Sequence, residues 1–367
     1  MEIEVLQENL VKALTNVGRV ASSRTGLPIL GNILLKTSSN RLLVAATNLE
    51  IASTNHVGAK ILKQGSITIP AKIITEFIQN LPKQAVKMSV VKSTLHIECG
   101  AYTSSINGVS DEEFPELPGI DEKAAVTYSL STQDFKEATQ QTIIAASSDS
   151  TRPVLTGVYW HVDDGVLYFA ATDGYRLAEK QIMKVKTTIA AIVPVSTMQE
   201  VLRTITDEDS QIEVLFDEIQ VRFRINDSEI TSKLIDGNFP DYRQLIPKSS
   251  EISAVAERSD VARVAKIAAL FARDSGGAIT LSVDPETKNL HVHSVASELG
   301  ENASSIPLHE VKGGGSVTLN ARYILELLSV VSSNTINIAF SGGLTPIVLT
   351  PSEKQSNYTH IIMPIKS

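Results

Sequence analysis

Apolar residues recur along this chain in two rhythms. Leu10, Ala13, Leu14 and Val17 stand three or four apart, as on the buried face of a helix, and the same spacing returns further on. It predicts helices near residues 8–19, 72–80, 134–146, 198–205, 259–273 and 320–331. Between them lie short runs, such as RLLVAAT, AVKMSVV, QIEVLFD and AITLSVD, that are continuously apolar or alternate with polar positions and read as strands. Ser39-Asn40 and Asp164-Gly165 separate paired runs as hairpin turns, and Pro82 ends the second helix. Ser131 with Asp134, and Ser196 with Gln199, look like capping boxes. Two stretches, DEEFPELPGIDEK and GNFPDYRQLIPKSS, interrupt the rhythm as linkers.

The pattern copies itself. Thr47-Asn48-Leu49-Glu50 follows an apolar run, and Thr172 with Asp173-Gly174 does the same 125 positions later. The same offset joins Leu27-Pro28-Ile29-Leu30 to Arg152-Pro153-Val154-Leu155, and Phe114-Pro115 to Phe239-Pro240. In a third, more worn copy Asn320 stands where Pro70 and Pro194 stood. The chain therefore reads as three repeats, residues 1–120, 126–247 and 251–367, each an α+β unit of two helices packed on antiparallel sheets. Sheets whose helices lie on one face leave the other for water or a neighbouring sheet, and exposed strand edges invite a second chain.

Composition narrows the function. Aromatics are only 5% of 367 residues, so the cores are aliphatic. The absence of an apolar run near the roughly 18 residues of a membrane span, and of an opening signal segment, leads us to expect a cytoplasmic protein with no membrane partner. Cys99, the one cysteine, sits in the alternating run TLHIECGAY, where a buried strand thiol is expected rather than a nucleophile. Enzyme chemistry finds little support: His291 and His293 share a strand face without a carboxylate cluster beside them, and Asp163-Asp164 and Asp207 to Asp209 fall at turns. No phosphate-binding GxxxxGK[ST] loop is present, and Gly313 to Gly315 read as a flexible connection.

Three segments together carry a resemblance: ATDGYRLAEK, TSKLIDGNFPDYRQLIP and the terminal IIMPIKS, with LPILGN near the front. With the threefold repeat they make the whole chain resemble the bacterial replicative sliding clamps, the beta subunits of DNA polymerase III. The resemblance implies three DNA-clamp domains in a ring-shaped, head-to-tail homodimer around double-stranded DNA, held without regard to base sequence. It implies no catalytic activity and no cofactor or metal. The implied partners are the replicative DNA polymerase, an ATP-driven clamp loader, and other polymerases and repair proteins.

Residue by residue, the resemblance places a partner-peptide pocket on Leu155, Thr172, Gly174, Tyr175, Arg176 and Leu177. Pro240, Gln244 and Leu245 add a wall, and Ile361, Met363, Pro364 and Ile365 the rest, with Asn320 and Tyr323 at the edge. Tyr175 stands where many family members carry His, and Gln244 where some carry a basic residue. The resemblance also implies a dimer interface between Tyr102, Ser104 and Ile106 of one protomer and Ala269, Leu270 and Phe271 of the other, and a DNA contact at Arg24.

The residues themselves speak to these implications. Met suits a site shared by several partners because its side chain adapts, and a strand edge can hold an extended peptide bearing Leu or Phe. Packing of a joint between the second and third repeats is the other reading of the same apolar residues. The predicted helices hold nine basic and seven acidic residues, so they carry +2 against −10 for the remainder of a chain whose net charge is −8. Mildly basic helices suit a sleeve that surrounds phosphates without gripping them, since every neutralised phosphate tightens binding. Lys72 and, in the third repeat, the stripe of Arg263, Lys266 and Arg273 would face DNA; solvated mixed-charge faces are the alternative. A three-domain peptide-binding scaffold that never encircles DNA is the competing function.

Overall fold

The computed structural model describes residues 1–21, 26–206, 210–297, 300–352 and 357–365. Arg24, the turn residues Asp207 to Asp209, and the last two residues lie outside the described residues. The fold is α+β. Six helices stand among the described residues: α1 (Gln7–Gly18), α2 (Ala71–Gln79), α3 (Thr132–Ile143), α4 (Val195–Thr204), α5 (Arg258–Phe271) and α6 (Ala321–Val330). Each repeat runs strand, helix, four strands, helix, three strands, and the third adds the short strand Glu310–Lys312.

The helices form where a single face is apolar. In α1 the buried residues are Gln7, Leu10, Ala13, Leu14 and Val17, and the Gln7 amide donates at 2.8 Å to the Ile78 carbonyl at the end of α2, which also accepts the Leu81 N–H at 3.2 Å. Ser131 Oγ accepts from the Asp134 backbone N–H at 3.0 Å, as a capping residue should. The Ser196–Gln199 expectation fails: α4 already begins at Val195, so Ser196 lies within its first turn. Asn320 caps α6 by accepting from the Arg322 N–H at 2.9 Å.

The chain divides into two compact units that cut across the sequence repeats. The first comprises residues 1–135 and 196–234. Its sheet has twelve strands, and the joint between the first and second repeats lies inside it. The strand Ile51–Lys63 pairs through its first residues with Ser228–Lys233 of the second repeat, and through its last with Glu2–Leu6. Helices α1 and α2 pack against each other over a core that includes Leu14, Ile33, Val44 and Ile74. Cys99 is buried in that core, as expected of a strand thiol.

The second unit comprises residues 136–195 and 235–367. It holds a nine-stranded sheet and a four-stranded one. In the larger sheet Arg176–Lys184 of the second repeat pairs with Tyr358–Ile362 of the third, matching Arg176 to Ile362 and Leu177 to Ile361. Helices α5 and α6 pack together over aliphatic residues such as Val264, Leu281, Leu319 and Leu327. Asp164 and Gly165 adopt φ of 47° and 71°, the left-handed pair that a tight hairpin demands, so that turn forms as the Asp-Gly sequence predicts.

Strands Ile51–Lys63, Arg176–Lys184 and Gly300–Pro307 are not apparent in the periodicity, and two of the three carry the pairing between repeats. In the first unit Phe223 is fully buried and meets Phe135 edge-on at 5.7 Å. Phe223→Ala should therefore lower the unfolding free energy of that unit by about 3–5 kcal/mol in urea titrations. A loss below about 1 kcal/mol would show that the ring is not a keystone of this core.

Candidate functional site

All fifteen residues of the expected pocket fall in the second unit, fourteen on four segments and Leu155 on a fifth. The first is the turn after the strand Val166–Thr172. Thr172 Oγ1 donates to the Arg176 carbonyl at 2.6 Å and accepts the Gly174 N–H at 3.1 Å, while Asp173 Oδ1 accepts the N–H groups of Tyr175 and Arg176 at 2.8 and 3.0 Å. The turn needs a residue at φ 92°, which Gly174 supplies. Tyr175 is thrust outward, 63% exposed, whereas Leu177 is 2% exposed. The second segment is the tail: Met363 N–H donates to the Tyr175 carbonyl and Ile365 N–H to the Thr318 carbonyl, each at 2.8 Å. Tail and turn are thus fastened by main-chain bonds, leaving Met363, Pro364 and Ile365 half-buried.

The third segment is the linker around Pro240, Gln244 and Leu245. It is pinned to the sheet by a polar and aromatic network. Phe239 stacks on Tyr159 at 4.8 Å, and Tyr159 stacks on His161 at the same separation. The Tyr242 hydroxyl donates to Glu179 and lies 2.7 Å from His161 Nε2; Arg243 pairs with Asp163 and Glu179 and covers the Tyr168 ring. Burial, reinforced by the Arg243 charge, pushes the His161 pKa down to about 4, so the imidazole is neutral. Since the Tyr242 proton is given to Glu179, the imidazole proton must sit on Nε2 and point at the tyrosine oxygen. A floor cluster of Ala170, Leu177, Tyr242 and Ile361 results, flanked by Phe239, Ile246 and Val348, with Leu245 standing free beside it at 49% exposure.

The fourth segment is the start of α6. Arg176, though expected as a contact residue, is buried: its guanidinium pairs with Asp173 at 3.1 Å and with Glu326, and lies 4.4 Å above the Tyr323 ring. It braces the groove. Asn320 is likewise engaged, as the cap of α6 and as a donor to the Gly276 carbonyl at 3.2 Å. Gln244 turns to Asp241 at 2.7 Å. Leu155 ends a short helical turn, and its neighbour Arg152 reaches within 3.5 Å of where a side chain on Gly174 would begin. Tyr242, Val348, Arg152 and Glu326 contribute here without being among the expected pocket residues; for Tyr242 the signal in the sequence is its place between the repeat mark Phe239-Pro240 and Leu245.

The helices carry less positive charge than their spacing predicts. Arg19 lies just beyond α1 and is tied to Glu200 at 2.6 Å, and Arg273 lies beyond α5 in a short turn. The helices as formed hold eight basic and seven acidic residues, net +1 rather than +2. Lys72, Arg263, Lys266 and Arg273 are exposed, Arg263 sharing its charge with Asp260 at 2.9 Å. Of the expected dimer contacts, Tyr102 and Ser104 lie on the edge strand Tyr102–Asn107, but Ile106 turns into the core of its own unit. Leu270 is 54% exposed on α5, and Ala269 and Phe271 are half-buried. His291 and His293 each face one carboxylate, Asp284 at 3.8 Å and Glu301 at 3.4 Å, and no group of three metal ligands stands among the described residues. No helix of the described residues is long and apolar enough to cross a membrane.

Against known proteins the match is end to end. Three family models align in order: the N-terminal domain of the DNA polymerase III beta subunit with residues 1–118, its central domain with 129–241, and its C-terminal domain with 243–366. A beta sliding clamp from Synechococcus elongatus is 30% identical over all of this chain and 99% of its own, and one from Bacillus subtilis 27% over all of both. The crystal structure of the DNA polymerase sliding clamp from Bacillus subtilis superposes with a TM-score of 0.94 at 25% identity, covering all of this chain and 99% of that one. The DNA polymerase III subunit beta from Pseudomonas aeruginosa, at 22% identity and full coverage of both, shares the fold with a TM-score of 0.93.

Neutral, buried His161 makes a pH prediction. Unfolded, its imidazole takes up a proton near pH 6.5; folded, only near 4, so between those values the unfolded state binds more protons and stability is lost as pH falls. His161→Gln, whose amide can still donate to Tyr242, should flatten that dependence in urea titrations between pH 7 and 4.5. An unaltered slope would exclude His161 as its source.

Proposed function

The chain belongs to the DNA polymerase III beta subunit family, and on that premise we propose that it is a DNA sliding clamp: a processivity factor that holds the replicative polymerase on duplex DNA and has no catalysis of its own. The observation that carries this reading is the match of all three beta-subunit domains, in order, over the length of the chain.

Two protomers close head to tail into a ring. The edge strand Tyr102–Asn107 offers unpaired main-chain groups and the exposed Tyr102, which suits pairing with the Leu270 region of a second copy. The helices face the duplex. Their net charge of only +1, with Lys72, Arg263, Lys266 and Arg273 exposed, supports weak, sequence-independent attraction, because a ring held by its topology needs no tight phosphate contacts. Partner proteins dock an extended segment carrying Leu or Phe into the groove over Leu177 and Ile361, beside Leu245 and Met363. These partners include other polymerases, repair proteins and a clamp loader that supplies ATP hydrolysis. The protein works in the cytoplasm.

Two experiments test this. Loaded onto circular DNA by its loader, the protein should be retained through gel filtration and released when the DNA is linearised; retention that survives linearisation would identify ordinary binding, and no retention at all would identify a scaffold that never encircles DNA. Removing residues 363–367 should abolish capture of a Leu/Phe-bearing peptide in fluorescence anisotropy while sedimentation still shows the dimer. Unchanged peptide affinity would refute the groove assignment.

A further inference from the structure

The first unit contains the same turn, fastened in the same way. Thr47 Oγ1 donates to the Ile51 carbonyl at 3.0 Å and accepts the Leu49 N–H at 3.1 Å, and Asn48 Oδ1 accepts the N–H groups of Glu50 and Ile51 at 3.0 and 2.8 Å. These are the bonds made by Thr172 and Asp173, 125 positions on. The strand pairing is repeated too: Ile51 faces Ser232 as Arg176 faces Ile362, and Lys233 N–H donates to the Glu50 carbonyl at 3.1 Å as Met363 N–H does to Tyr175. Pro115 occupies the place of Pro240. What these elements enclose is an open pocket of ≈ 480 Å³.

Its lining differs in chemistry. Leu49, 46% exposed, holds φ 74° where the other turn has Gly174, an uncomfortable conformation for a bulky residue. Ile219, 66% exposed, stands at the pocket's rim with Leu234 beside it. Gln220 and Thr231 add polar groups to the lining. Glu50 and Glu116 are exposed on the lining, neither is paired with a cation among the described residues, and they outweigh the single ammonium of Lys233.

We propose that this pocket is a second peptide site, which takes an extended segment bearing a bulky apolar side chain flanked by basic residues. The apolar side chain seats against Leu49 and Ile219, and the segment's cations face Glu50 and Glu116. The inference rests on the reading of the second-unit groove as a peptide site, and extends it to a partner whose apolar anchor is flanked by basic residues.

The test uses the full chain with labelled Ile, Leu and Val methyl groups and two synthetic probes, Lys-Lys-Leu-Phe-Lys-Lys and its counterpart with aspartate in place of lysine. The lysine probe should shift the methyl signals of Leu49, Ile219 and Leu234, and Glu50→Lys with Glu116→Lys should weaken that binding by roughly tenfold. Unmoved signals from buried Leu14 will show that the double variant is folded. Shifts confined to Leu155, Leu177 and Ile361 overturn the second site and leave the first intact, whereas shifts at neither set overturn both. Equal binding of the aspartate probe, or shifts at Leu49 that appear on concentrating the protein alone, overturn the assigned occupant.

Discussion

Everything in this molecule depends on a strand that ends one repeat's hairpin and opens the next repeat's sheet. An isolated repeat would leave the edge of Ile51–Lys63, or of Arg176–Lys184, with a row of unsatisfied main-chain groups. Pairing that edge with Ser228–Lys233 or Tyr358–Ile362 satisfies them, and does so with partners from the following repeat. The compact units therefore fail to coincide with the repeats: the second is divided, part joining the first and part the third. Continuous sheet hydrogen bonding joins each pair of repeats more firmly than side-chain contact across a flexible linker could.

The groove proposed for docking is a by-product of that joint. Where the second repeat's edge meets the tail, the strand Arg176–Lys184 begins in a turn whose Thr172 and Asp173 side chains bond its own backbone, so the turn holds its shape while its Tyr175 carbonyl accepts the tail. Main-chain bonds lock the tail beside it, and the side chains between the two are left as a half-covered apolar strip. Arg176 shows how charge is handled there. Buried and flanked by Asp173, Glu326 and the Tyr323 ring, it stiffens the wall, and removing both carboxylates would leave a buried cation without a counter-charge.

The linker is held by a different device. Tyr242 and Arg243 reach back to Glu179 and Asp163 across the sheet, with His161 kept neutral between aromatic rings. Every polar atom in that chain is directional, so the linker takes one position, and Leu245 is carried to the groove as a consequence. A purely apolar anchor of similar area would hold the linker as well but place it less exactingly.

Much of this was legible in the chain itself. Helical spacing located all six helices to within a few residues, the 125-residue offset exposed the repeats, and Thr172-Asp173-Gly174 announced its turn, because helices, caps and turns are decided by neighbours within a few positions. The joining strands were not legible. Ile51–Lys63 carries Ser53, Thr54, Asn55 and His56 in its middle and shows no clean alternation, since Asn55 is satisfied by Ser228, 173 positions away, at 2.6 Å. Nor could spacing tell that Arg19 would be neutralised by Glu200, or that Leu177 and Ile361 would be floor while Leu245 stood free. Those outcomes belong to the tertiary structure, because a residue's local pattern records its own element's periodicity and says nothing of which distant edge will come to lie against it.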